Sequence, residues 1–259
     1  MRRTCMLTGA ATLLVCLAGG CGSGPGAPSV TVFAAASLKP AFTEIARRFE
    51  ADNPGAVVDF NFAGSSDLAT QLTEGAGADV FASANTAQMD KVTAAGLVAG
   101  EAVPFAANTL VIVTAAGNPE HLVSFADLAR PGLSVVLCQR PVPCGAAARQ
   151  LEERTAVRIR PVSEEPDVTD VLNKVTTGQA DAGLVYRTDA INAGDRVTAI
   201  EFPQAAEAVN TYPVALLNDS AEPELARKFV DLVTGATGQR ILRAAGFARP
   251  GAEPGSPGP

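Results

Sequence analysis

The stretch that most restricts the fold of this chain is Thr31-Val-Phe-Ala-Ala-Ala-Ser37, which runs directly into Leu38-Lys-Pro-Ala-Phe-Thr-Glu-Ile-Ala-Arg-Arg-Phe49. Val32 to Ala36 is continuously apolar, the pattern of a strand covered on both faces by helices. Phe42, Ile45, Ala46 and Phe49 then recur at helical spacing. Ser37 stands at the joint and is expected to cap the helix, with Pro40 in the first turn. A helix N-terminus also offers free N–H groups and partial positive charge, which suit an anion. Two readings of Ser37 therefore stand, a cap for its own helix alone or a donor to a bound anion as well.

The same strand-then-helix alternation continues along the chain. Val57–Phe62 reads as a strand that Ala63-Gly64-Ser65-Ser66 turns into a helix carrying Leu68 and Leu72. Asp79–Ser83 is the next strand, followed by a helix from Thr86 to Ala95. Asn108–Val113 and Leu133–Leu137 are further strands, with a short helix over Phe125–Ala129 between them. A helix from about Gly145 to Glu153 follows, and Asp167 caps another with the stripe Val168, Val171, Leu172, Val175. Asp181–Tyr186 is a strand ending in tyrosine. Val209–Leu217 is a late strand in which Pro213 favours an edge or a bend. Helices around Glu222–Thr234 and Thr237–Ala245 close the body. Alternating units of this kind imply an α/β fold with mainly parallel sheets, in one doubly wound domain or two lobes.

The ends of the chain are different. Arg2 and Arg3, then the apolar run Met6–Ala18, read as a signal peptide over residues 1–20, since the run is too short to span a bilayer. Leu17-Ala-Gly-Gly-Cys21 resembles a bacterial lipobox, with Ala18 where that pattern prefers Leu. It makes Cys21 the lipidated first residue of the mature protein, anchored to the cell membrane. The other reading is an ordinary secreted protein cut near Ala18 or Gly20. Residues 21–29 make a flexible tether, and 250–259, rich in Pro and Gly, a disordered tail. Cys5 and Cys16 leave with the signal, so Cys138 and Cys144 remain. Outside the membrane an even pair favours a disulfide. A redox-active or metal-binding pair is the alternative, without the usual two-residue spacing or a nearby His.

Composition removes several function classes. Loss of Arg2 and Arg3 takes the formal charge from −7 to −9, and no basic cluster or Trp is present for nucleic acid. The absence of Trp, with only Tyr186 and Tyr212, also argues against a sugar cleft with aromatic platforms. Phe62-Ala-Gly-Ser-Ser66 lacks the second glycine of a hydrolase elbow, and the single His, His121, sits in a polar loop. No phosphate-binding glycine loop follows a strand. Glu164, Glu165 and Asp167 read as a solvated loop plus a cap. What remains is a set of strand-to-helix joints, at Ser37, Ser65, Cys144 and Val168, whose hydroxyls and free N–H groups suit an anion if they converge.

Val32-Phe-Ala-Ala-Ala-Ser-Leu38, Phe62-Ala-Gly-Ser-Ser66, Gly77–Ser83, Asn108–Val113, Gly183-Leu-Val-Tyr-Arg-Thr-Asp-Ala190, Tyr212-Pro-Val214 and Ala245-Gly-Phe247 stand in one order. Together they closely resemble the molybdate-binding proteins of bacterial ABC transporters, over about Val30 to Phe247. The resemblance implies a periplasmic-binding-protein fold of the class II type, with two α/β lobes joined by two crossover strands and a ligand cleft between them. Asn108–Val113 and Val209–Leu217 would be the crossovers, 30–109 plus 214–249 lobe one, and 110–213 lobe two. The family's ligand-binding serines fall on Ser37 and Ser65 and its tyrosine on Tyr186. Its main-chain N–H positions fall on Cys144 and Val168. Molybdate or tungstate would be held as an oxyanion through these residues, with no direct protein–metal ligand and no cofactor. Asp67 stands where a small hydroxyl residue is expected and must face solvent if the site is to hold an anion.

The resemblance further implies a non-enzymatic, monomeric receptor that delivers its oxyanion to a membrane permease, with no nucleic-acid partner. A receptor for sulfate, thiosulfate or another oxyanion is the second reading. An extracellular serine hydrolase is the third, and would need a base beside Ser37 or Ser65.

Overall fold

The computed structural model describes residues 27–251. The expected signal peptide, the lipidated Cys21, most of the tether and nearly all of the C-terminal tail lie outside the described residues. Among the described residues no helix is long and apolar enough to cross a membrane.

The first sheet opens with β1 (Ser29–Ala35), followed by α1 (Lys39–Asp52), β2 (Val57–Ala63), α2 (Ser65–Thr73), β3 (Val80–Ala82) and α3 (Thr86–Ala94). β4 (Val103–Asn108) then runs into β5 (Leu110–Ala115), with only Thr109 between them. β6 (Val135–Cys138), α4 (Pro143–Thr155), β7 (Ser163–Glu165), α5 (Val168–Thr176), β8 (Ala182–Tyr186), α6 (Arg187–Ala193) and β9 (Val197–Ile200) complete the second unit. The chain returns through a 3-10 turn (Pro203–Glu207) into β10 (Asn210–Leu216), and ends in α7 (Pro223–Thr234) and α8 (Ala236–Ala244).

The strands form two five-stranded sheets, β2-β1-β3-β10-β4 and β7-β6-β8-β5-β9. Each has the parallel trio implied by βα alternation, extended by one strand that runs against it (β10 or β5) and by an outer strand that again runs with it (β4 or β9). The sheets are therefore mixed, because β5 and β10, the strands by which the chain enters each lobe from the other, run against the rest. β10 pairs with β4 from Asn210 onward, so it joins the first sheet four residues before position 214, where the resemblance set the return. Pro213 lies in this inner strand rather than at an edge. A register shift between Tyr212 and Pro213 bends the strand there, and Pro213 faces Pro104 of β4.

The continuous apolar character of β1 follows from its two covered faces. Val32 and Ala34 pack into one core with Phe42, Ile45 and Phe49 of α1, while Phe33 turns to Leu68, Leu72, Phe81 and Met89 on the other side. The α1 side is dense with rings: Phe42 lies 5.8 Å from Phe105 and 6.0 Å from Phe229, centroid to centroid. In the second lobe the expected stripe of α5 is buried throughout, and Asp167 caps the helix through bonds from the N–H groups of Thr169 (2.7 Å) and Asp170 (3.0 Å). The acidic stretch before it is not simply a solvated loop. Glu165 is buried in edge strand β7, where Lys174 reaches it at 2.6 Å.

Candidate oxyanion site

Each joint predicted from the sequence faces the same space. Ser37, Gly64, Ser65, Cys144, Val168 and Tyr186 line one small cavity between the lobes, with room for only about 10 Å³. Ser37 and Tyr186 are 3% and 1% exposed, so the cleft is shut over them.

The serines arrive differently from the expectation. Ser37 does not cap α1; it sits inside a 3-10 turn (Ala36–Leu38) between β1 and the helix, with no side-chain cap bond. Its Oγ lies 3.0 Å from the hydroxyl of Tyr212. That turn inserts a residue triplet before α1, so the hydroxyl points across the strand ends rather than back along its own helix. Ser65 opens α2 directly after Gly64, and its Oγ accepts the N–H of Ala84 at 3.0 Å. Its oxygen being taken, its hydroxyl hydrogen is free to donate elsewhere.

The second lobe supplies Tyr186 at the end of β8. Its hydroxyl is fully buried and has no hydrogen-bond partner among the described residues. A buried polar atom without a partner costs about 1–3 kcal/mol, so its retention marks a position that something else satisfies. Burial pushes the Tyr186 and Tyr212 hydroxyls well above the ordinary tyrosine value, which keeps both protonated. The Tyr186 N–H donates to Asp189 Oδ2 at 3.1 Å. Burial raises the Asp189 carboxyl to about 7, against the lowering effect of that bond, and nearby Asp167 adds to the rise.

Helix starts provide the remaining donors. The first N–H groups of a helix have no intrahelical acceptor. In α5 the Asp167 carboxylate occupies Thr169 and Asp170, which leaves Val168 N–H over. In α4 Pro143 has no N–H, so Cys144 carries the first amide of the helix. Cys144 is disulfide-bonded to Cys138 across the loop that leads into α4. Gly145 follows because any Cβ there would stand 1.9 Å from the carbonyl oxygen of Gln139. Asp67 is exposed, away from the cavity. His121 is exposed in its loop and does not line the cavity, so neither serine has an imidazole beside it. Among the described residues no group of three His, Cys, Asp or Glu side chains could hold a metal ion.

Sequence reasoning missed the residues that join the lobes. Asn108 and Asn210 face each other in the β4–β10 register at the crossing. Asn108 Nδ2 donates to Thr188 Oγ1 at 2.8 Å, and Asn210 Nδ2 to the carbonyls of Ala84 (2.9 Å) and Pro143 (3.4 Å). Gln88 of α3 reaches the carbonyl of Pro141 in the disulfide loop at 2.9 Å. Gly64 also abuts the other lobe: a Cβ there would lie 2.3 Å from the carbonyl oxygen of Pro166. An Asn within an otherwise buried strand is the signal that could have found the first two.

The sequence pattern of the bacterial extracellular solute-binding proteins matches residues 30–248. The molybdate-binding protein ModA of Mycobacterium tuberculosis is 61% identical over 225 residues, covering 87% of this chain and 86% of that protein. The chain belongs to this family of bacterial solute-binding proteins. ModA of Haemophilus influenzae is 30% identical, over 85% of this chain and 89% of that one. In fold, this solute-binding protein superposes on the periplasmic molybdate-binding protein of Azotobacter vinelandii with a TM-score of 0.76 at 21% identity, covering 85% of this chain and 99% of that one. It is also similar to the sulfate-binding protein SubI of M. tuberculosis, with a TM-score of 0.72 at 20% identity over 86% and 88% of the two chains.

Proposed function

We propose that this protein binds molybdate, and tungstate with it, outside the cytoplasm and delivers it to the permease of an ABC importer. The observation that carries the reading is the convergence of hydroxyl and helix-start N–H donors on one closed cavity, around a tyrosine hydroxyl with no partner among the described residues. Ser37, Ser65 and Tyr186 donate through side chains, Cys144 and Val168 through main-chain N–H groups. Molybdate and tungstate are fully deprotonated tetrahedral dianions at neutral pH, so they need donors only. Phosphate carries a proton that needs an acceptor, whereas the five positions named here act as donors. The net negative charge of the chain does not oppose binding, since helix-end dipoles act locally while distant charge is screened over about 8–10 Å.

The protein acts as a monomer held at the membrane through lipidated Cys21, with lobe two spanning about 110–209 and lobe one the rest of the body. Calorimetric titration of the mature protein with molybdate, tungstate, sulfate and phosphate tests the ligand. Tight molybdate and tungstate binding with weak sulfate and phosphate is expected. Tight sulfate binding without molybdate would overturn the reading.

A further inference from the structure

One buried hydroxyl next to the cavity is left over by the five binding positions. Tyr212 lies on β10, is fully buried, and does not line the cavity. Its hydroxyl lies 3.0 Å from Ser37 Oγ, and the Asn108 and Tyr186 side chains also come close to it. Its ring is fixed edge-on between Phe247 at 5.4 Å and Phe105 at 6.3 Å, and a third edge contact joins it to Tyr186 at 5.9 Å. Ser37 and Tyr212 both belong to the first lobe, whereas Tyr186 comes from the second.

We propose that Tyr212 is a positioning residue for the anion: it donates to Ser37 Oγ, turns the Ser37 hydrogen into the cleft, and gives the Tyr186 ring its seat. The direction of the bond follows from satisfying each hydrogen. A buried O–H needs an acceptor. The Tyr212 hydrogen has one within reach, Ser37 Oγ. The Ser37 hydrogen has two choices, Tyr212 or an anion in the cavity. If Ser37 donated to Tyr212, the cleft would lose a donor. With Tyr212 donating, both are satisfied once the anion is bound.

Ser65 shows the same arrangement, because the Ala84 N–H can only donate and occupies the Ser65 oxygen. Each serine thus has its oxygen engaged from behind and presents its hydrogen forward. This gives the cleft its preference for fully deprotonated oxyanions over those that carry a proton. The chain from Tyr212 to Ser37 lies within one lobe, so it is set before the lobes close, and closure adds Tyr186 to it.

The ligand side of this inference rests on the oxyanion reading above; the hydrogen bond itself does not. Tyr212→Phe keeps the ring contacts and removes only the hydroxyl, and thermal melting checks that the variant folds. Titration with molybdate is expected to show about tenfold weaker binding, the loss of one oriented hydrogen bond. Inorganic phosphate, measured where it carries a proton, should lose less or gain, because a released Ser37 oxygen can accept. Unchanged molybdate affinity, or equal loss for both anions, would overturn the role. In the ligand-free protein, the Tyr212 hydroxyl proton should exchange slowly by NMR and shift in Ser37→Ala. An unmoved resonance would refute the bond even if wild-type protein bound molybdate tightly. A shifted one would support the bond even if it bound none.

Discussion

Ser65 and Tyr186 show how the same group, a buried hydroxyl, has opposite effects on stability depending on what fills its oxygen. Ser65→Ala removes a donor from the cavity and strands the Ala84 N–H. It should weaken molybdate binding roughly 10- to 100-fold and lower stability by about 1–3 kcal/mol, read by titration and by denaturant unfolding. Tyr186→Phe removes a hydroxyl with no partner among the described residues, so stability should hold or rise while affinity falls by at least about tenfold. Asp189 adds a pH dependence. Its carboxyl, raised to about 7 chiefly by burial, binds a proton more firmly in the folded state than its ordinary value of 3.8 allows in the unfolded one. Its contribution is therefore complete below about pH 4 and declines as pH rises towards 7. Asp189→Asn keeps an acceptor for the Tyr186 N–H and removes this decline. The variant should gain in melting temperature over wild type at pH 8 relative to pH 4.5. At this scale the chain was partly legible. A serine at a strand-to-helix joint marks a donor, but Ser37 was expected to cap α1 and instead meets Tyr212, 175 positions away. No local pattern carries a contact of that span.

Among the elements, those read best from the sequence bury a full stripe. β1, α1 and α5 pack against the core on every apolar position the periodicity marks, so their pattern and their burial agree. The elements not foreseen are β4 before Asn108, β7, β9 and α6. β7 is Ser-Glu-Glu at a sheet edge and β9 a four-residue edge strand. Their pairing comes from a neighbouring strand, which a local reading of propensity does not contain. The loop from Cys138 to Cys144 shows the converse: the cysteine pairing was readable from number and compartment, and its use depends on α4 starting where it does. Replacing both cysteines by serine should lower stability by about 2 kcal/mol, as expected for a short closed loop. It should also weaken anion binding, because the Cys144 amide then rests on a looser loop. Denaturant unfolding and titration of the same variant measure both effects.

At the scale of the whole molecule, binding depends on two sheets meeting across Thr109 and the start of β10. Gly64 is a point of close approach in that meeting. Its backbone angles, φ −59° and ψ 135°, suit any residue, so alanine should not disturb the first lobe. A Cβ there would press on the Pro166 carbonyl of the other lobe, however, and oppose closure. Gly64→Ala should therefore keep its melting temperature without ligand and lose molybdate affinity by more than about tenfold, with small-angle scattering showing no compaction on adding the anion. What the sequence determined by itself was the α/β class, most of the helices and strands, and the residue types able to hold an anion without a cation. Those depend on local spacing and on side-chain chemistry. Only the tertiary structure decided that the joints converge, that Tyr212 and Ala84 engage the serine oxygens, that Asn108 and Asn210 tie the lobes together, and that Gly64 lets them approach. These contacts join positions tens to more than a hundred residues apart, and their geometry exists only once both sheets have formed and closed on each other.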